Sequence, residues 1–245
     1  MNALFSKIEL RTHDIKAARA FYASVLGYEV KHIVGLPEVA AARGAPPHWL
    51  GHIGIGNVDE CASTFVANGA QRLGPTQQTS SGGKMALMRD AGGAVVALSN
   101  ACDEVLGVDV AWYQLLTADL EKATANYHDS LGWCMTERID LGAVGIAQFF
   151  SWHGDRADRV NNGMIVDIAQ LPKAHPHWLF HFRVTQLATA VAAVRAGGGQ
   201  VVDQAVLKGG TKIAVCDDPQ GAAFALQERA PVGVGLDRFG YDIAS

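Results

Sequence analysis

The feature that most constrains this chain is a phrase it contains twice. Pro47-His48-Trp49-Leu50-Gly51-His52 returns as Pro176-His177-Trp178-Leu179-Phe180-His181, 129 residues later. The second copy continues to Val184 and alternates as a β-strand. Trp178, Phe180, Phe182 and Val184 share one face; His177, Leu179, His181 and Arg183 share the other. The first face is expected in a core and the second against something polar. Other stretches repeat in register: residues 12–30 match 117–135 at 7 of 19 positions, and 84–98 match 212–226 at 7 of 15. Those matches include the helix-capping Asp14/Asp119, Tyr22/Tyr127 and the helix-stopping Gly27/Gly132, so a structural unit is being repeated.

Periodicity sets the order of elements. A strand at 7–12 leads into a helix capped by Asp14, and a strand follows at 28–34. Residues 35–47, rich in Gly and Pro, read as loop with one short helical turn. After the first copy of the phrase, Asn57 caps a second helix, 71–73 begins a strand, and 84–88 and 94–99 form a hairpin about Asp90-Ala91-Gly92-Gly93. The pattern restarts at Trp112, with a helix capped by Asp119 and strands at 133–139, 145–152 and 163–168. The second phrase, a helix at 187–195, a strand at 200–206 and a hairpin about Asp218-Pro219-Gln220-Gly221 complete it. Each half therefore holds two strand–helix–strands modules. The offset between halves grows by 24 residues between Val30 and Pro47, so the first module lacks about two strands.

Composition narrows the function classes. With 245 residues, 49% hydrophobic and 18% charged, the chain is globular and long enough for two domains. A net charge of −4 with scattered Lys and Arg gives no footprint for nucleic acid or an anionic membrane. No apolar run reaches the ~20 residues of a spanning helix, and no signal-peptide pattern opens the chain. Cys61, Cys102, Cys134 and Cys216 stand apart without a Cys-x-x-Cys pair. They are expected as free thiols, in a protein of the cytoplasm.

The modules, with Asp-(Ile/Leu)-x-x-Ala…Tyr-x-x-x-Leu-Gly-(Tyr/Trp) opening each half and Asp-Pro-x-Gly near the end, resemble the vicinal oxygen chelate superfamily. That superfamily includes glyoxalase I, bleomycin-resistance proteins and extradiol dioxygenases. The resemblance implies an α+β fold of tandem βαβββ modules, paired into two curved mixed sheets that form cups, with helices outside. It implies domains at 1–103 (first module truncated) and 104–230, with a tail at 231–245. In metal-using members, ligands stand seven residues before a helix cap and four after a hairpin glycine. Here those positions hold Lys7, Leu50, Ala97, Trp112, Leu179 and Ala225, so no divalent metal and no other cofactor is expected.

A metal-free protein binding a small organic molecule in the second-half cup is the leading expectation. Trp112, Gln114, Phe150, Trp152, His177, Leu179, His181, Arg183 and Lys212 are its candidate binding residues. Trp112 and Trp152 are expected to stack on a planar ligand, whereas Trp49 and Trp178 pack under helices. His181 and Arg183 are suited to an anionic or carbonyl-bearing group, with His181 titrating near neutrality. The plainer reading makes His181 a hydrogen-bonding group within the cup wall. One alternative is a lyase, isomerase or hydroxylase-type enzyme, acid–base or metal-assisted, with His181, Glu9 and His52 as catalytic candidates. Another is an interaction protein with vestigial cups. A strand edge exposed by the truncation is a place for a homodimer contact.

Overall fold

A computed structural model describes residues 3–101, 106–152, 161–171, 174–207 and 209–228. The expected boundary at 103/104 and the tail from 231 lie outside the described residues. The first half runs β1 (Leu4–Thr12), α1 (Ile15–Leu26), β2 (Ile33–Gly35), α2 (Glu38–Ala42), β3 (His48–Gly54), α3 (Val58–Ala67), β4 (Gln71–Arg72), β5 (Gln77–Gln78), β6 (Lys84–Arg89) and β7 (Val95–Ser99). The second runs β8 (Val110–Thr117), α4 (Leu120–Leu131), β9 (Cys134–Asp140), a 3₁₀ turn, β10 (Ile146–Ser151), β11 (Gly163–Asp167), β12 (His177–Val184), α5 (Leu187–Ala196), β13 (Gln200–Val206), β14 (Lys212–Asp217) and β15 (Ala223–Glu228).

Each half forms one open mixed sheet. The first is ordered β2-β1-β3-β7-β6-β4, with β5 paired to β6; the second is ordered β13-β14-β15-β12-β8-β11-β10-β9. The truncation has a definite form. β2 lies parallel to β1, with Leu10 opposite Ile33, just as β11 lies parallel to β8, with Tyr113 opposite Gly163. The first module thus keeps its last strand and lacks the counterparts of β9 and β10. The strand expected at 28–34 is for this reason only three residues long, because residues 28–32 have no ladder to join.

Local chemistry explains the helices. Asp14, Asn57 and Asp119 each accept a backbone N–H from the first turn, and Gly27 and Gly132 stop α1 and α4 at φ of +77° and +71°. Gln186 does not cap α5 through its side chain. Instead Glu228 Oε2, from β15, accepts the Leu187 N–H at 2.9 Å.

The described residues pack as two compact units, each drawing on both halves: those within 1–8, 50–106 and 113–178 in one, those within 9–49, 107–112 and 179–228 in the other. The first unit is centred on Tyr127 of α4. Its hydroxyl donates to Asp90 Oδ2 at 2.9 Å and accepts from Trp178 Nε1 at 3.0 Å. The second repeats the arrangement: Tyr22 of α1 donates to Asp218 Oδ2 at 3.1 Å and accepts from Trp49 Nε1 at 3.0 Å. Each aspartate also holds its hairpin turn, Asp90 accepting from Gly92 and Ala94, Asp218 from Gln220 and Ala222. The tyrosine and turn motifs that mark the repeat are therefore bolts between a helix of one half and a hairpin of the other. Trp49 and Trp178 pack under helices as expected.

Candidate functional site

β12 has the two faces its alternation predicts, but both are covered. Trp178 turns toward Tyr127 in the first unit, and Phe182 lies 4.8 Å from Trp49 in the second. On the opposite face, Leu179 is buried and His181 is 0% exposed. The polar face is a buried one, which corrects the expectation that His181 titrates near neutrality. Burial drives its pKa down to about 3, with Gln227 nearby only partly offsetting this. The imidazole is neutral across the physiological range and has no proton to spare as a general acid.

Within the second unit the surroundings of His181 can be followed strand by strand. β15 runs parallel to β12 with Ala225 opposite His181 and Gln227 opposite Arg183. Gln227 is buried, and its side-chain carbonyl oxygen meets no donor within hydrogen-bond geometry among the described residues. A buried amide oxygen in that state costs free energy unless a water or ligand hydrogen meets it.

The cationic groups nearby are already matched. Arg183 Nε contacts Asp109 Oδ1 at 3.3 Å, and the Arg183 N–H donates to the Asp109 carbonyl at 2.8 Å. The Asp109 N–H in turn donates to the Tyr28 hydroxyl at 2.9 Å, and burial raises that phenol. Lys212 Nζ pairs with Glu228 Oε1 at 2.9 Å; the Leu187 N–H and then this lysine hold the Glu228 carboxyl below its ordinary value. Arg183, expected beside an anionic or carbonyl-bearing group, and Lys212, expected among the binding residues, each meet a protein carboxylate. Lys84, the repeat partner of Lys212, likewise pairs with Asp59 at 2.7 Å.

The aromatic candidates divide. Trp112 is buried on β8. Phe150 and Trp152 are not brought to a ligand-facing wall. Phe150 stacks on Trp133 at 4.6 Å, and Trp152 meets Tyr113 edge-on at 4.9 Å, inside the aromatic core around Tyr127. The cause is strand parity: Phe150 is opposite Gly163, which is opposite Tyr113, and this row lies on the α4 side. Gln114, half-buried on β8, is one step out of that row, opposite Met164. His177 Nδ1 lies 2.8 Å from the His175 carbonyl, and burial lowers its pKa.

The metal question can be tested on the residues present. Leu50, Ala97, Trp112, Leu179 and Ala225 occupy expected ligand positions and are all buried, and none offers a donor for a divalent ion. His52 pairs in register with Ala97, as His181 does with Ala225, so each histidine adjoins an alanine where metal-using relatives are expected to carry glutamate. Glu9 Oε1 is committed to Arg11 Nε at 3.0 Å. Among the described residues no group of three or more His, Cys, Asp or Glu is placed to hold a metal ion. The residues at these positions do not fit a divalent metal.

Reasoning from sequence missed Arg11, Asp109 and Gln227 as residues of interest. Gln227 and Arg11 were within reach of parity, each two residues from a position already singled out. Asp109 carried no local signal; only the pairing of distant strands brings it to Arg183.

Two open mixed sheets assembled from paired strand–helix–strands modules, with hairpin turns bolted to helices, make a fold that glyoxalases and dioxygenases of known structure share. Solved structures agree on the fold. The Mn(II)-bound glyoxalase from Novosphingobium aromaticivorans superposes with a TM-score of 0.62 at 13% identity, covering 91% of this chain and 81% of that one. The H200Q variant of homoprotocatechuate 2,3-dioxygenase from B. fuscum gives 0.64 at 14% identity, covering 98% and 75%. The 2,2',3-trihydroxybiphenyl 1,2-dioxygenase from Sphingomonas wittichii strain RW1 gives 0.63 at 13% identity, covering 100% and 98%. A curated relative, "Putative glyoxylase CFP32" of Mycobacterium tuberculosis (strain CDC 1551 / Oshkosh), is 27% identical over 254 residues, covering 91% of this chain and 94% of that protein. The family model of the Glyoxalase/Bleomycin resistance protein/Dioxygenase superfamily matches residues 109–226, which reach from the start of β8 into β15. That match covers the second half of the chain.

Proposed function

We propose that the protein binds a small organic molecule, without a divalent metal, on the face of the second-half sheet that carries Trp112, Leu179, His181 and Gln227. The observation that supports this best is the pair His181–Gln227. Where metal-using relatives are expected to place charged ligands, this chain has a neutral imidazole, the buried Gln227 amide beside it, and alanine at the adjoining position. Such a surface selects by hydrogen bonds and shape: Trp112 and Leu179 supply apolar area, and a ligand hydroxyl or amide N–H meets Gln227. Asp109 cancels the charge of Arg183, so a neutral ligand is favoured over an anion.

A second reading, an acid–base enzyme of the same superfamily, draws on the curated relative named as a glyoxylase. In that case His181 acts only as an acceptor or weak base, since its pKa of about 3 leaves it unprotonated.

The test is metal content by mass spectrometry on untagged protein purified without chelator, followed by thermal-shift screening with neutral phenols and alcohols. Background metal with a hit that Gln227→Leu abolishes supports the metal-free reading. Stoichiometric iron, manganese, zinc or nickel overturns it.

A further inference from the structure

We propose that Glu9, Arg11, Val34 and His48 form a second binding site, for the carboxylate of a small apolar acid, on the truncated first-half sheet. It is independent of the second-half site and falls wholly within the other half's strands.

Glu9 and Arg11 stand two residues apart on β1, hence on the same face, with side chains only 10% and 12% exposed. Glu9 Oε1 engages Arg11 through Nε alone, at 3.0 Å. Among the described residues no hydrogen bond or ion pair engages the two terminal guanidinium nitrogens. A guanidinium that is nearly buried, oriented by one carboxylate through Nε and left with its outer nitrogens unmatched, is a fork prepared for a second planar acceptor.

The first-half sheet opens at this point. Val34 of β2 is opposite Arg11 in register and is 37% exposed, and β2 is the edge strand. In the second half the equivalent strand β11 is followed by β10 and β9. The missing strands therefore leave apolar surface beside the fork, where the body of an acid would rest. His48, on β3, lies close enough to feel both charges. Its Nδ1 is 2.8 Å from the Pro46 carbonyl, which can only accept, so Nδ1 carries the hydrogen and Nε2 of the neutral ring is an acceptor.

Comparison of the repeats argues that the charges are not a requirement of the fold. The positions of Glu9, Arg11 and His48 are taken in the second half by Gln114, Leu116 and His177. Only the first half carries a cation and an anion there. The resident Glu9 also narrows the ligand class: it repels a phosphate dianion more than a carboxylate monoanion.

The test uses the full chain and three probes: benzoate, its neutral analogue benzamide, and inorganic phosphate. Binding is followed by calorimetry and by the side-chain Nε–H resonance of Arg11. Benzoate is expected to saturate a single site and move that resonance, with benzamide and phosphate at least about tenfold weaker. The double variant Glu9→Gln/Arg11→Met, which removes both charges together, is expected to lose the response, whereas His181→Asn keeps it. Should the double variant not fold, Arg11→Lys retains the charge without the fork and is expected to weaken benzoate by about tenfold. A shift that does not saturate, phosphate binding as tightly as benzoate, or an undiminished response in either Arg11 variant overturns the proposal. Loss of the response in His181→Asn would assign the benzoate to the second-half site and equally overturn it.

Discussion

Removing one oxygen atom, in Tyr127→Phe, tests how the two halves of the chain are joined. The Tyr127 hydroxyl is fully buried, donates to Asp90 Oδ2 at 2.9 Å and accepts from Trp178 Nε1 at 3.0 Å. Phenylalanine fills the same space, so no cavity forms; what is lost is the partner of two buried polar atoms. Each orphan costs about 1–3 kcal/mol, so about 3 kcal/mol in total is expected near neutral pH. That is a substantial share of the ~5–15 kcal/mol that holds a domain folded.

Titration of Asp90 sharpens this prediction. Burial raises its carboxyl to about 6, with the Tyr127 hydrogen bond and the turn N–H groups working in the opposite direction. The folded state thus holds this proton more tightly than the unfolded chain. Stability contributed by Asp90 is fully present below about pH 4 and is lost as pH rises through about 6. Tyr127→Phe withdraws a donor that stabilises the ionised form more than the neutral one. Its cost is therefore expected to be largest near pH 7.5 and to fall to about 1–2 kcal/mol near pH 5, where the unpaired Trp178 N–H remains. Urea denaturation followed by tryptophan fluorescence at both pH values measures the two costs. A loss below about 0.5 kcal/mol at pH 7.5, or an equal loss at both, would refute the reasoning.

Three further outcomes are expected. The His181 ring, with its pKa near 3, should show no imidazole titration between about pH 5 and 8 by NMR; a midpoint near 6.5 would mean it is not buried as described. Gly163→Ala places a methyl against the Tyr113 carbonyl and the Phe150 ring, and should lower the urea midpoint by the equivalent of at least about 2 kcal/mol; an unchanged midpoint would show that the aromatic core yields easily. Burial pushes the thiols of Cys61 and Cys216 up to about 11 and about 12, so peptide mapping after brief iodoacetamide treatment of native protein should find both unmodified. Rapid labelling of either one counts against these placements.

Much of the architecture is legible in the residues. Asp14, Asn57 and Asp119 announce helix starts because a short side-chain oxygen can reach a first-turn N–H, and each does so. Gly27 and Gly132 announce helix ends because the left-handed turn there favours a residue without Cβ. Alternation alone puts Trp178 and His181 on opposite faces of one strand, and opposite faces they occupy. Phe150 and Trp152 show the limit: a one-residue choice of register decides which side a strand residue serves, and local periodicity does not reveal what lies on either side.

By itself the sequence determined the local elements, their repetition and the shortening of the first module, because caps, turns and period-two faces are short-range properties of the chain. Only the tertiary structure decided which partners those elements meet. Tyr22 finds Asp218 across 196 residues and Arg183 finds Asp109 across 74. Whether a histidine is a proton carrier or a neutral hydrogen-bonding group, and whether an arginine is spoken for, depends on the field and burial created by such remote neighbours. Those quantities exist only once the strands are paired.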